Sequence, residues 1–223
     1  MKTIRRSILC LTTLLLAGSM LCAQDLSKYR GFSLGMDSAT VLRLTNHRPA
    51  DVNVMHRAPN LLQELTWWPP NEPGTPFSSN TVEQILFSFY NGELYKISVT
   101  YDQASIEGLT AEDMVRSISA EYGPPTAVVP RSTDAPRRYE SKQRFVAIWN
   151  DSRYSLNLVQ SPFNDRFGLV IYSKPIEAEA QAAVVEALKL EEQQGPQKEA
   201  ERQKKRMDDL EVARQKNQKN FRP

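Results

Sequence analysis

Gln84-Ile85-Leu86-Phe87-Ser88-Phe89-Tyr90-Asn91-Gly92-Glu93-Leu94-Tyr95-Lys96-Ile97-Ser98-Val99-Thr100-Tyr101 is the stretch that decides the fold. Two β-rich runs flank Asn91-Gly92, a pair suited to a type I′ turn because both central residues of that turn need positive φ. Alternation predicts that Ile85, Phe87 and Phe89 share one face of the first strand. On the second strand it puts Tyr95, Ile97, Val99 and Tyr101 together, with Lys96, Ser98 and Thr100 opposite. A half-buried antiparallel sheet follows.

Upstream, Val52 to His56 alternates, Ala58-Pro59-Asn60 reads as a turn, and Leu61 to Trp68 resumes an extended pattern. Leu61, Leu65 and Trp67 are expected on one face, Leu62, Glu64 and Thr66 on the other. Earlier still, Asp37 or Ser38 caps a short helix with Val41, Leu42 and Leu44 as its apolar side. Pro69 to Asn80 carries four prolines and a glycine and reads as an exposed loop.

Downstream, Thr110 with Asp113 resembles a capping box at the start of a second helix. Met114, Val115, Ile118 and Tyr122 recur at helical spacing, and Gly123-Pro124-Pro125 stops the run. Three more strands are expected at Phe145–Trp149, Tyr154–Gln160 and Phe167–Tyr172, with Phe145, Ala147 and Trp149 sharing a face. The order is helix, strands, helix, strands, a degenerate repeat. An extra hairpin near 52–68 is the expected cause of its uneven spacing. The predicted fold class is therefore α+β: an antiparallel sheet with helices on one face and a charged C-terminal helix.

The N-terminus reads as an export signal over residues 1–23. Lys2, Arg5 and Arg6 precede the largely apolar run from Ile8 to Leu16, and Leu21-Cys22-Ala23 forms the cleavage region. The favoured reading is cleavage after Ala23. A lipid anchor at Cys22 is disfavoured because Leu21 stands where such sites take Gly, Ala or Ser. The apolar run is too short to span a membrane comfortably, so no transmembrane span is expected after signal removal. Residues 24–104 are read as a first helix-plus-strands unit and 105–175 as a second, sharing one body. Residues 176–194 are read as the C-terminal helix. Gly195-Pro196 is expected to interrupt it, leaving 195–223 as a charged polar tail or helix.

The signal reading also changes the chemistry. The full chain has 28 basic and 26 acidic residues, net +2. Losing Lys2, Arg5 and Arg6 makes the mature chain slightly acidic. Cys10 and Cys22 leave together, so no disulfide or thiolate metal site is expected. Basic residues are interspersed with acidic ones, which disfavours nucleic acid as a partner.

Catalytic patterns are scarce. The two histidines, His47 and His56, lack ligand spacing, although Asp51 lies near them in sequence. The sequence has no Gly-x-Ser-x-Gly elbow, no phosphate-cradling glycine loop and no His-Glu-x-x-His helix. No catalytic residue, metal site or cofactor is expected. Trp67, Trp68 and Phe77 border the proline-rich loop and are the candidate binding residues. Adjacent strand residues face opposite ways, so one tryptophan points outward unless the loop or the C-terminal helix covers it.

Phe32-Ser33-Leu34-Gly35-Met36 followed by a capped helix resembles the opening of β-lactamase-inhibitor-like envelope domains. Thr110 to Tyr122, closed by Gly123-Pro124 before the strands carrying Trp149, looks like a second copy of that pattern. The fold occurs in the secreted inhibitor and in small lipoproteins of the outer-membrane assembly machinery. The chain also looks like a class of secreted bacterial proteins that share the Tyr29-Arg30-Gly31-Phe32 opening and the Asn91-Gly92 hairpin. The resemblance implies a non-enzymatic domain that presents a sheet to a protein partner.

These readings together predict an exported or periplasmic, non-enzymatic protein-binding or envelope-maintenance module with a protein partner in the envelope. A small-ligand or polysaccharide-binding module using Trp67 or Trp68 is the first alternative. A hydrolase without recognised motifs is the second.

Overall fold

The computed structural model describes residues 25–71, 81–130, 143–161, 166–220 and 222. The expected export signal, Cys10, Cys22 and Phe77 lie outside these residues. A minimal hairpin, β1 (Lys28–Tyr29) and β2 (Phe32–Ser33), opens the described body. Helix α1 (Ser38–Leu44) starts at Asp37, whose carboxylate accepts from the Thr40 amide at 2.9 Å. It buries Val41 and Leu42.

Strands β3 (Asn53–His56), β4 (Leu62–Trp67), β5 (Val82–Tyr90) and β6 (Glu93–Tyr101) then form an antiparallel meander. Helix α2 (Ala111–Tyr122) begins with the reciprocal Thr110–Asp113 box: each backbone amide donates to the other residue's side chain. It ends at Gly123, whose φ of 80° suits only a residue without a Cβ. A second meander follows in β7 (Ala127–Val128), β8 (Arg144–Asn150), β9 (Tyr154–Gln160) and β10 (Phe167–Ser173). The eight strands β3–β10 make one sheet ordered β3-β4-β5-β6-β10-β9-β8-β7, antiparallel throughout.

The repeat is visible in that order. Each short helix precedes a four-stranded meander, and the final strands of the two meanders meet in the middle. Trp67 on β4 and Trp149 on β8 occupy matching places, both buried on the helix-covered face. Trp149 also donates its indole N–H to the Gly123 carbonyl at 2.8 Å, tying β8 to the end of α2. The hairpin near 52–68 is therefore not an extra element, because β7–β8 is its counterpart. The uneven spacing belongs to turns that are not equivalent: Asn91 lies between β5 and β6, Asn150 ends β8 before β9, and the counterpart of the Asn91 turn is the β9–β10 connection.

The Asn91-Gly92 turn forms as expected, with φ of 50° and 85° at the two residues. Ile85, Phe87, Phe89, Ile97 and Val99 all face the main core with α1 and α2. Tyr95 does not. Ser88 pairs with Lys96 and Phe89 with Leu94, which leaves Tyr95 as the extra residue of a β-bulge. The bulge sends Leu94 into the core and turns Tyr95 to the other face. Phe145 changes sides in the same way. It pairs with Val159 while Ala147 pairs with Leu158, so Val146 is the extra residue and Phe145 is left 48% exposed.

Helix α3 (Lys174–Asn220) lies on the face opposite α1 and α2. Ala180, Ala183 and Ala187 are its buried stripe, and their small side chains let the helix sit close to the sheet. Ala180 and Ala183 join Leu62 and Tyr95 in a second, smaller apolar cluster. Lys96 Nζ and Glu177 Oε1 form an ion pair across this contact at 3.1 Å.

The expected interruption at Gly195-Pro196 is absent: the helix continues through Pro196 to Asn220. Proline removes one helical hydrogen bond and crowds the preceding turn. Here both Gly195 and Pro196 are solvent-exposed, so water can satisfy the freed carbonyl. No described helix is long and apolar enough to cross a membrane.

Candidate functional site

The two neighbouring tryptophans take opposite roles. Trp67 is buried in the core, edge-on to Phe32 at 5.5 Å between centroids and stacked with Phe87 at 6.3 Å. It is a packing residue with no surface to offer a ligand, which corrects its place among the binding candidates. Trp68 is 62% exposed. Strand alternation explains the split, since Leu65 and Trp67 point to the core while Glu64, Thr66 and Trp68 follow the other face. Neither α3 nor the described part of the proline-rich loop covers Trp68. Phe77 lies outside the described residues.

Trp68 borders a groove of about 430 Å³ lined also by His47, Asp51, Asn53, Glu64 and Thr66. The His47 ring nitrogen Nδ1 donates to the Thr45 carbonyl at 2.9 Å, which leaves Nε2 as the acceptor of the neutral ring. The Asp51 carboxylate accepts from the Arg48 amide at 2.8 Å, and that bond holds its pKa below the ordinary carboxylate value. Glu64 accepts from the Ser88 hydroxyl at 3.4 Å. Two carboxylates and an imidazole thus line one groove. Asp51 is nonetheless committed to capping a 3-10 turn and is held ionised, which makes it a poor proton donor. Among the described residues no group of three or more His, Cys, Asp and Glu can hold a metal ion.

A larger cleft, about 730 Å³, lies at the other end of the sheet between α2 and the β7–β8 edge. Ile106, Val146 and Phe167 form its buried apolar floor. Leu109, Val128 and Val129 stand at its mouth with exposures of 45, 59 and 39%. Arg144 and Gln160 supply one polar part of the lining, with the Arg144 guanidinium donating to the Gln160 side-chain oxygen, and Thr110, Glu112 and Arg116 at the start of α2 supply another.

A scan of protein-family models, a search of curated proteins and a search of solved structures each return no match to this chain. The sites are therefore read from their own chemistry.

Sequence reasoning reached Trp68 because an aromatic pair on a strand must split between faces. It missed the cleft, whose lining comes from residues between Gln103 and Phe167, brought together where α2 and the turn before it pack on the second meander. One local signal was present: Val128-Val129, two residues beyond the helix-stopping Gly123-Pro124-Pro125, at the end of a two-residue strand.

Proposed function

We propose that this chain is an exported, non-enzymatic module that binds a protein partner in the bacterial envelope, using the outer half of α3 as a docking element. One observation carries the reading. Among the described side chains of α3, Ala187 is the last buried one and Leu190 the last half-buried one, yet the helix continues to Asn220. At 1.5 Å per residue the exposed length is roughly 45 Å. An isolated polar helix gains little from propensity, and most helices in proteins are held by packing of an apolar side. On this one, Met207 and Leu210 lie three residues apart, 67 and 57% exposed, amid mixed charge. That pattern suits a partner helix or groove better than a polyanion or an anionic membrane. The helix–strands repeat and the resemblance of its opening motif to inhibitor-like envelope domains support the same reading, as does the N-terminal export pattern.

Affinity capture from an envelope fraction tests the proposal. The full chain should recover a specific partner that is lost when Gln197–Pro223 is removed. Retention of every interaction after that deletion, and after a separate deletion of Pro69–Ser79, would sink the proposal.

The Trp68 groove supports a second reading, a polysaccharide-binding module. An exposed indole beside Asp51, Asn53, Glu64 and Thr66 offers a stacking face and hydrogen-bond partners for sugar hydroxyls. Soluble cell-wall glycan fragments should then perturb the fluorescence of the wild type but not of Trp68→Ala. Equal responses from the two proteins would remove this reading.

A further inference from the structure

We infer that the cleft between α2 and the β7–β8 edge is a binding site for an amphiphilic monocarboxylate of the fatty-acid class, independent of any partner docked on α3. The cleft has two chemically distinct parts. Ile106, Val146 and Phe167 are nearly fully buried beneath it, while Leu109, Val128 and Val129 line its mouth in contact with solvent. Large aliphatic side chains gathered around one concavity are costly to leave hydrated and gain from an apolar occupant. At about 730 Å³ the space lies within the range of clefts that enclose a small-molecule ligand.

The polar end specifies the head group. Arg144 is half-buried, and its hydrogen bond among the described residues is to the neutral amide oxygen of Gln160. No carboxylate pairs with it among those residues, although Arg116, at the same cleft, is paired with Asp113 at 3.2 Å. A guanidinium presents five donors in a planar fork, and one bond to an amide leaves that fork able to take a carboxylate in two parallel bonds. A partly desolvated cation beside an apolar floor favours an anion with a hydrocarbon body over a free inorganic ion. The Gln160 oxygen holds the guanidinium at the cleft wall, so the head group is placed at one end and the chain runs toward Leu109 and Val128.

Competition against a fluorescent fatty-acid probe on the purified full-length chain tests the site, with dodecanoate as the competing ligand. Dodecanoate should displace the probe from the wild type and do so at least tenfold more weakly from Arg144→Gln. Dodecanol should compete poorly with both. Val128→Asp, at an exposed position that folding does not require, should also weaken dodecanoate by tenfold or more. Circular dichroism of each variant reports whether it is folded. Failure of dodecanoate to displace the probe would overturn the inference, as would equal competition on wild type, Arg144→Gln and Val128→Asp. Tighter binding of an apolar peptide with a free C-terminal carboxylate than of dodecanoate would also overturn it, by assigning the cleft to a protein terminus. Because α3 is not involved, removing Gln197–Pro223 should leave the displacement curve unchanged.

Discussion

Gly168 of β10 approaches β6 so closely that a Cβ at this position would stand 2.8 Å from the carbonyl oxygen of Val99. The contact lies where the two meanders join, with Gly168 paired to Thr100 in the ladder. Only a hydrogen fits there without moving backbone. Gly168→Ala is expected to cost about 1–3 kcal/mol, the usual penalty for overpacking a well-packed site. Urea unfolding should show it as a lower midpoint with an unchanged slope.

The adjacent tryptophans should separate stability from recognition. Trp67→Ala empties a core position beside Phe32 and Phe87 and is expected to cost about 3–5 kcal/mol. Trp68→Ala removes an exposed ring and should change stability by no more than about 0.5 kcal/mol. Thermal melts of both variants check this. A large loss for Trp68→Ala would mean that other residues of the chain cover the ring.

Tyr95 sets an alkaline limit. Burial is the main cause that pushes its phenol up to about 12 from an ordinary 10.0, with the charges of Glu177 and Glu64 adding to the effect. The folded state therefore favours the neutral phenol, while the unfolded chain ionises first. The stability this contributes is complete below pH 10.0 and falls away as pH rises toward about 12. Tyr95→Phe should flatten that decline in a series of denaturant midpoints taken across this window.

The Lys96–Glu177 pair fastens the start of α3 to β6. Both side chains are largely shielded, at 26 and 16% exposure. Glu177→Gln would leave the ammonium half-buried without its counter-ion. The expected cost is about 1–3 kcal/mol, between the small value of an exposed pair and the larger one of a fully buried pair. Hydrogen exchange should quicken first in residues 174–190.

The outer half of α3 should be thermodynamically silent. Among the described residues, ending the chain after Gln194 removes only exposed ones and should shift global stability by less than about 0.5 kcal/mol. Pro196→Ala, by contrast, should raise helix content by relieving a local penalty of about 3 kcal/mol, with the unfolding midpoint of the body unchanged. Circular dichroism and thermal denaturation read the two effects separately.

Local chemistry made much of this architecture legible. Asn91-Gly92, the Thr110–Asp113 box and the Gly123 stop each satisfy a backbone requirement that only a few residue types meet, so each could be read without knowing its neighbours. The positions of Tyr95 and Phe145 could not. Their faces are set by bulges, and a bulge depends on which residue of the opposite strand wins the pairing. Helix α3 shows a different limit: the proline rule is sound, yet exposure lets water absorb what an interior helix could not. The cleft was hidden because its floor and its arginine come from segments far apart in sequence: Ile106 follows β6, Arg144 and Val146 are on β8, and Phe167 is on β10.

The ladder order has a consequence for how the chain assembles. Within the eight-stranded sheet every strand pairs with a neighbour in sequence, except where β6 meets β10. Each meander can therefore form by pairing strands consecutive in sequence, and only the central pairing has to draw the two meanders together. The entropy of long-range closure is then concentrated in one step. That step is the tightest backbone approach among the described glycines, so the slowest event in folding and the least forgiving packing are expected to coincide at Gly168.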